Sequence, residues 1–74
     1  MKGLISILTE LHPEIDFSLP HDLIGEGILD SIDVVTLVGE IDECFGVRVP
    51  LEELTPENFS SVEAIGRMIE RLRD

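Results

Sequence analysis

An aspartate and a serine stand together at the start of a regular apolar pattern, and both could take part in chemistry. Asp30 and Ser31 precede apolar residues at 34, 37, 38, 41 and 45, which follow the 3.6-residue repeat of a helix that packs on a core. Either side chain can accept a hydrogen bond from the first turn of this helix, and Gly46 can end it in a left-handed conformation. Because the helix N-terminus carries positive dipole charge, a phosphate ester on the Ser31 hydroxyl would be stabilised there.

The face of this helix that points away from the predicted core carries a second candidate site. Its apolar residues recur at intervals of three and four, and polar and acidic residues border them. This docking face comprises Ile32, Val35, Thr36, Gly39, Asp42 and Glu43. A surface for a partner protein is one interpretation. The alternative is that two exposed β-branched residues are ordinary for a protein surface and need no partner.

Length and charge limit the classes of function. With 74 residues, the chain is predicted to be a single domain over residues 1–74 with a small core of Leu, Ile and Val. The formal net charge is −11, and ten carboxylates but no Lys or Arg lie between Gly3 and Val47. Such a surface would repel nucleic acid and would attract proteins that carry basic patches.

The cysteine count and the hydropathy pattern indicate a cytoplasmic protein. The single Cys44 cannot form an internal disulfide, and it is predicted to be a small core residue. No apolar run approaches the roughly 20 residues of a membrane span, and no signal-peptide layout is present. We therefore expect a cytoplasmic monomer without a membrane span.

The segments on either side of the central helix complete an all-α prediction. A first helix is expected over residues 2–11 and a long connection over residues 13–29. The expected apolar stripe of the first helix is Leu4, Ile5, Leu8 and Leu11, and the expected loop anchors are Ile15, Phe17, Leu19, Leu23, Ile24 and Leu29.

After the central helix, residues 51–54 predict one helical turn, and Thr55-Pro56-Glu57 predicts a short helix over Pro56–Phe59. Ser60 to Glu63 predict a capped last helix that extends to about residue 72, with Val62, Ile65, Ile69 and Leu72 facing inward. The expected fold is a small four-helix bundle of three longer helices and one short helix.

Patterns typical of catalysis or metal binding are absent from the sequence. His12 and His21 lack the spacing of a metal site and are predicted to be solvated or packing residues. The acidic pairs at 42–43 and 52–53 do not follow the calcium-loop pattern. Ser31 lies outside any nucleophile-elbow motif, and there is no phosphate-binding loop. We therefore expect neither an enzyme nor a metal site.

Over nearly its whole length the chain resembles the acyl and peptidyl carrier protein family. The residues that carry the resemblance are Asp30-Ser31-Ile32, the pattern Val34 to Phe45-Gly46, Val49-Pro50, and the link from Thr55 to Val62. It implies that a phosphopantetheinyl transferase attaches 4′-phosphopantetheine from coenzyme A to Ser31, and that Asp30 helps this enzyme recognise the site. It also implies that loading ligases or synthases with basic patches read the docking face. The chain would then carry acyl groups as thioesters in fatty-acid or specialised acyl biosynthesis, without being an enzyme itself.

Two alternatives stay open. Ile28 and Leu29 separate Gly27 from Asp30, a spacing that resembles D-alanyl carriers, so an adenylating ligase could load an amino acid instead. Alternatively, Ser31 is a plain helix cap in an acidic helical adaptor that has no prosthetic group.

Overall fold

Three α-helices surround the core in the computed structural model, which describes residues 3–73. They are α1 (Leu4–Leu11), α2 (Ser31–Phe45) and α3 (Val62–Arg73), and a 3-10 turn at Leu51–Glu53 lies between α2 and α3. α1 packs against both α2 and α3. The all-α prediction is confirmed, and the helical turn expected at residues 51–54 is present, but the fourth helix of the predicted bundle is not found within residues 3–73. None of the described helices is long and apolar enough to cross a bilayer.

The apolar face of α1 is narrower than predicted. Ile7 and Leu8 are buried, whereas Ile5, a member of the predicted stripe, is exposed. At about 100° per residue, Ile5 lies about 100° from Leu4, while Ile7 and Leu8 lie within about 60° of it. The core therefore takes Ile7 in place of Ile5. The predicted start at residue 2 lies outside the described residues.

The predicted core faces of α2 and α3 are confirmed. On these faces Leu37, Ile41 and Ile65 are fully buried, and Ile69 is buried as well. Met68 of α3, which was not part of the predicted face, is also fully buried. Partly buried residues packed against the same cluster are Val34, Val38, Phe45, Val62 and Leu72. Cys44 is also partly buried against this cluster, as expected of a small core residue.

The connection between α1 and α2 is held by its own apolar side chains. Phe17, Leu23 and Leu29 are buried, and Ile15 and Ile24 are partly buried against the core. Backbone hydrogen bonds add to this anchoring, because the N–H of Leu23 donates to the carbonyl of Ser60 at 2.7 Å. The long loop therefore packs over the bundle and ends beside the start of α2.

Leu19 is the one predicted loop anchor that is exposed. Its N–H donates to the carbonyl of Asp16 at 3.2 Å, which closes a tight turn. Phe17 takes the buried position of that turn. Since one turn offers the core few side chains, the larger apolar residue is buried and Leu19 is not.

Residues 56–59 form two overlapping turns, so the predicted short helix is wrong. The N–H groups of Asn58 and Phe59 donate to carbonyls three residues earlier, at 3.2 and 3.3 Å. The Thr55 hydroxyl accepts a hydrogen bond from the N–H of Asn58 at 3.3 Å, as the cap of a helix would. The Asn58 side chain donates to the carbonyl of Glu53 at 2.8 Å, and Phe59 is fully buried. These anchors at both ends hold the segment in a turn too short for a regular helix.

Candidate functional site

A capping box begins α2. Asp30 has extended backbone angles (φ −101°, ψ −176°), and its side chain accepts a hydrogen bond from the N–H of Asp33 at 2.8 Å. In return, the Asp33 carboxylate accepts from the N–H of Asp30 at 3.4 Å. From the sequence, either Asp30 or Ser31 could be the cap of α2. In the structure Asp30 is the cap.

Ser31 is therefore the first residue of α2 and is not its cap. Its side chain is exposed, and its hydroxyl makes no hydrogen bond with any other residue from 3 to 73. The neighbouring N–H groups of the first turn give this end of the helix its partial positive charge. An accessible, unpartnered hydroxyl at a helix N-terminus suits a phosphate ester.

An apolar cleft of about 380 Å³ lies beside the start of α2. Asp30 and Ser31 form part of its wall, next to Val34 and Val35 of the same helix. The remaining lining residues come from the loop before α2 and the turns before α3, and they are Ile24, Leu29, Leu54, Thr55, Pro56 and Phe59. A flexible group attached to the Ser31 hydroxyl would thus begin next to an apolar surface.

The docking face is exposed along α2. Ile32 is 74% exposed and Val35 is 67% exposed, values that are high for β-branched side chains. Thr36, Gly39 and the acidic pair at 42–43 are exposed as well. A methyl group added at Gly39 would meet open space, so packing within the chain does not require a glycine there. The structure thus places all six residues of the docking face where another molecule could reach them.

Leu51 is an exposed apolar residue that sequence analysis missed. It lies in the 3-10 turn and is 81% exposed. The signal available in the sequence was its position directly after Pro50, where a short turn offers an apolar side chain little cover.

Both histidines have polar partners that the prediction of solvated or packing residues missed. His12 contacts the Asp33 carboxylate through Nε2 at 2.8 Å and the Glu14 carboxylate through Nδ1 at 3.3 Å. The bond to Asp33 is the main reason that the pKa of His12 is raised, since partial burial acts in the opposite direction and Glu14 adds a smaller increase. His12 thus joins the end of α1 to the capping box of α2.

His21 makes a comparable set of bonds within the loop. Its Nδ1 contacts Glu26 at 3.2 Å, and its Nε2 donates to the carbonyl of Asp16 at 2.9 Å. The hydrogen bond to Glu26 raises the pKa of His21, and the Asp16 carbonyl raises it further. Within residues 3–73, no group of three or more His, Cys, Asp or Glu side chains is arranged to hold a metal ion.

Comparison with known proteins identifies a family and named relatives. Residues 2–69 match the family described as "Phosphopantetheine attachment site". The D-alanyl carrier protein of Streptococcus sanguinis (strain SK36) is 31% identical over 72 residues, which cover 96% of this chain and 91% of that protein. The D-alanyl carrier protein of Streptococcus equi subsp. zooepidemicus (strain MGCS10565) is 34% identical over 55 residues, covering 74% of this chain and 70% of that protein.

Substitutions at the two residues that begin the site should affect stability differently. Asp30→Ala removes the cap of α2 and should lower the free energy of unfolding by about 1 kcal/mol. Ser31→Ala removes no hydrogen bond and adds a strong helix former, so we expect a change within about 0.5 kcal/mol. Urea denaturation followed by circular dichroism measures both. Equal destabilisation by the two substitutions would contradict the assignment of Asp30 as the cap.

Proposed function

We propose, since this chain belongs to the phosphopantetheine-attachment family, that Ser31 is the residue to which its 4′-phosphopantetheine is attached. The observation that carries the proposal is the exposed, unpartnered hydroxyl on the first residue of α2. The residues present fit the group, because the helix N-terminus favours its phosphodiester and the neighbouring cleft gives its arm an apolar surface. The terminal thiol of the bound group supplies the thioester chemistry of a carrier.

Attachment requires a hydroxyl that a transferase can reach and orient. The Ser31 Oγ forms a new P–O bond to the phosphate that bears pantetheine in coenzyme A. The pyrophosphate bond breaks, adenosine 3′,5′-bisphosphate leaves, and the hydroxyl proton passes to a base of the transferase. In this proposal, Asp30 holds the first turn of α2 through the capping box and is read by the transferase together with Ser31.

The transferase and the loading enzymes are proposed to bind the docking face through basic patches. The exposure of Ile32 and Val35 supports this assignment, as does the border formed by Thr36, Asp42 and Glu43. The ten carboxylates between Gly3 and Val47 would attract a basic partner over a distance set by the salt concentration. A carrier that visits several enzymes needs this kind of fast and weak association.

The proposed cargo is an amino acid, loaded as a thioester by an adenylating ligase. The similarity to D-alanyl carrier proteins over most of both chains supports an aminoacyl cargo. The runner-up is an acyl group from fatty-acid or specialised acyl biosynthesis, and the apolar cleft beside Ser31 favours it because it offers a hydrocarbon chain a surface.

The chain is proposed to act as a monomeric carrier in the cytoplasm, with residues 1–74 as a single domain. The family is one of carriers, and the chain serves the enzymes that load and unload it rather than catalysing a reaction itself. A cytoplasmic location agrees with its proposed dependence on coenzyme A.

Intact mass after transfer tests the attachment residue. The parent chain is incubated with coenzyme A, magnesium and a broad-specificity phosphopantetheinyl transferase, beside Ser31→Ala and the control Ser6→Ala, which changes another exposed helical serine. We expect one phosphopantetheine on the parent and on the control, and none on Ser31→Ala. Modification of Ser31→Ala would place the site elsewhere, and an unmodified but folded parent would favour the acidic adaptor.

Truncation of the docking face should slow the transfer without unfolding the chain. We expect Ile32→Ala and Val35→Ala each to lower kcat/KM for the transferase about fivefold, the effect of losing roughly 1 kcal/mol of apolar contact. Ile5→Ala, which changes an exposed apolar residue of α1, is the matched control and should leave kcat/KM unchanged. An equal loss in all three variants, or in none, would argue against a docking role.

The cargo is tested on the pantetheinylated chain. One reaction contains ATP, D-alanine and a D-alanine-adenylating ligase, and the other contains malonyl-coenzyme A and a malonyl transferase. We expect a hydroxylamine-sensitive mass increase in the first reaction alone. Loading only in the second reaction would replace the aminoacyl cargo with an acyl group.

A further inference from the structure

His12, at the end of α1, contacts the capping box that begins α2. Its ring Nε2 lies 2.8 Å from the Asp33 Oδ2, although the two residues are 21 positions apart in the chain. We propose that His12 is a positioning residue for the attachment of phosphopantetheine at Ser31, and that its imidazolium form holds the first turn of α2 in the arrangement that the transferase uses. This inference rests on the proposed function of Ser31.

A short series of hydrogen bonds leads from His12 to the residue before Ser31. The Asp33 Oδ2 that accepts from the His12 ring also accepts from the N–H of Asp30 at 3.4 Å. The Asp30 side chain in turn accepts from the N–H of Asp33 at 2.8 Å. Since the side chains of His12 and Asp33 are only 23% and 21% exposed, water competes weakly for this contact. The His12 ring therefore restrains the carboxylate that closes the capping box.

The backbone of His12 is fixed as well. Its N–H donates to the carbonyl of Leu8 at 2.9 Å, as the C-cap of α1. Leu8 is fully buried in the core. The imidazole thus extends from a rigid helix end, and the bond to Asp33 connects that end with the start of α2.

The charge pattern explains why a histidine matters here. His12 and His21 are the only side chains between Gly3 and Val47 that can carry positive charge. A phosphodiester on Ser31 would add negative charge next to Asp30 and close to Asp33. The protonated ring of His12, in contact with Asp33, offsets part of this repulsion.

Both carboxylates that face the His12 ring favour its protonated form. Asp33 of α2 accepts from Nε2, and Glu14 of the loop lies 3.3 Å from Nδ1. A neutral ring that donates from Nε2 presents a lone pair to Glu14, whereas the protonated ring donates to both carboxylates. Together they raise the pKa of His12 above 6.5. The extra stabilisation is therefore complete below pH 6.5 and is lost as the pH rises through the raised pKa.

His21 supplies a matched control in the same acidic stretch. Its ring contacts Glu26 and the carbonyl of Asp16, both within the loop, and its pKa is also raised. Among residues 3–73, none of its hydrogen bonds reaches the capping box of α2. Loss of its proton should therefore change the loop without changing the presentation of Ser31.

A competition assay isolates the contribution of His12 from that of the transferase. The parent and His12→Gln, which keeps a hydrogen-bond donor but cannot titrate, share one reaction with limiting transferase and coenzyme A. Intact mass gives the ratio of modified chains, which is the ratio of the two kcat/KM values, so the pH dependence of the transferase cancels. The series runs from about pH 5.5 to about pH 8.5, across the histidine range. Circular dichroism at each pH verifies that both chains are folded.

We expect the parent to be favoured about threefold at the acidic end, the size expected when a charge-assisted bond is replaced by a neutral one. The ratio should approach unity at the alkaline end, with a midpoint above pH 6.5. His21→Gln should compete with the parent at a ratio that does not change with pH. The same competition is repeated with Asp33→Asn in both chains, a substitution that keeps an acceptor but removes the charge. The midpoint of this second ratio should lie at lower pH.

A constant ratio for His12→Gln, or the same pH dependence in His21→Gln, would overturn the positioning role. An unchanged midpoint in Asp33→Asn would also contradict it. If the parent is not modified at any pH, the proposed function of Ser31 fails, an outcome that differs visibly from equal modification of both chains.

Discussion

The reciprocal hydrogen bonds between Asp30 and Asp33 are the interaction on which the proposed site depends. The N–H groups in the first turn of a helix need hydrogen-bond acceptors, and a serine at the cap position often accepts from one of them with its own hydroxyl. In this chain Asp30 takes the capping role, and the Ser31 hydroxyl is left exposed one residue later. Asp30 thus stabilises the start of the helix, and the adjacent Ser31 keeps an accessible hydroxyl. In the proposed function, this arrangement would let Ser31 accept a bulky group without loss of the cap.

Electrostatic repulsion is the second constraint on this molecule. The acidic stretch between Gly3 and Val47 has no Lys or Arg, and its histidines each contact a carboxylate. The arginines lie later in the chain, and Arg71 binds Glu53 of the 3-10 turn at 3.0 Å. This ion pair therefore links the 3-10 turn to α3, and it lies outside the acidic stretch between Gly3 and Val47.

Local signals in the sequence were sufficient for much of this structure. The 3.6-residue apolar repeat located α2 and α3, and Gly46 ends α2 in the left-handed conformation (φ 66°, ψ 27°) that a glycine favours. Prediction was weaker where two local signals competed. Thr55 and Pro56 are typical of a helix start, but the anchoring of Asn58 and Phe59 produced turns instead.

Contacts between distant parts of the chain could not be read from the sequence. The partner of His12 is Asp33, 21 residues later, and only the path of the loop brings the two together. Leu19 and Ile5 illustrate the same limit, because each is apolar but the core had room for a neighbouring residue instead. At the candidate site, the sequence predicted Ser31 and the docking face, which are exposed in the structure, but it left the cap ambiguous and missed the histidine that contacts the capping box.

Tandem mass spectrometry of the chain purified from the cells that produce it would show directly whether Ser31 carries the prosthetic group. A digest separates the peptide that contains Ser31 from those that contain the other serines. We expect a phosphopantetheine on Ser31 that is lost by β-elimination to leave dehydroalanine at that position. A folded, abundant chain whose Ser31 is unmodified, or a phosphopantetheine on any other residue, would contradict it.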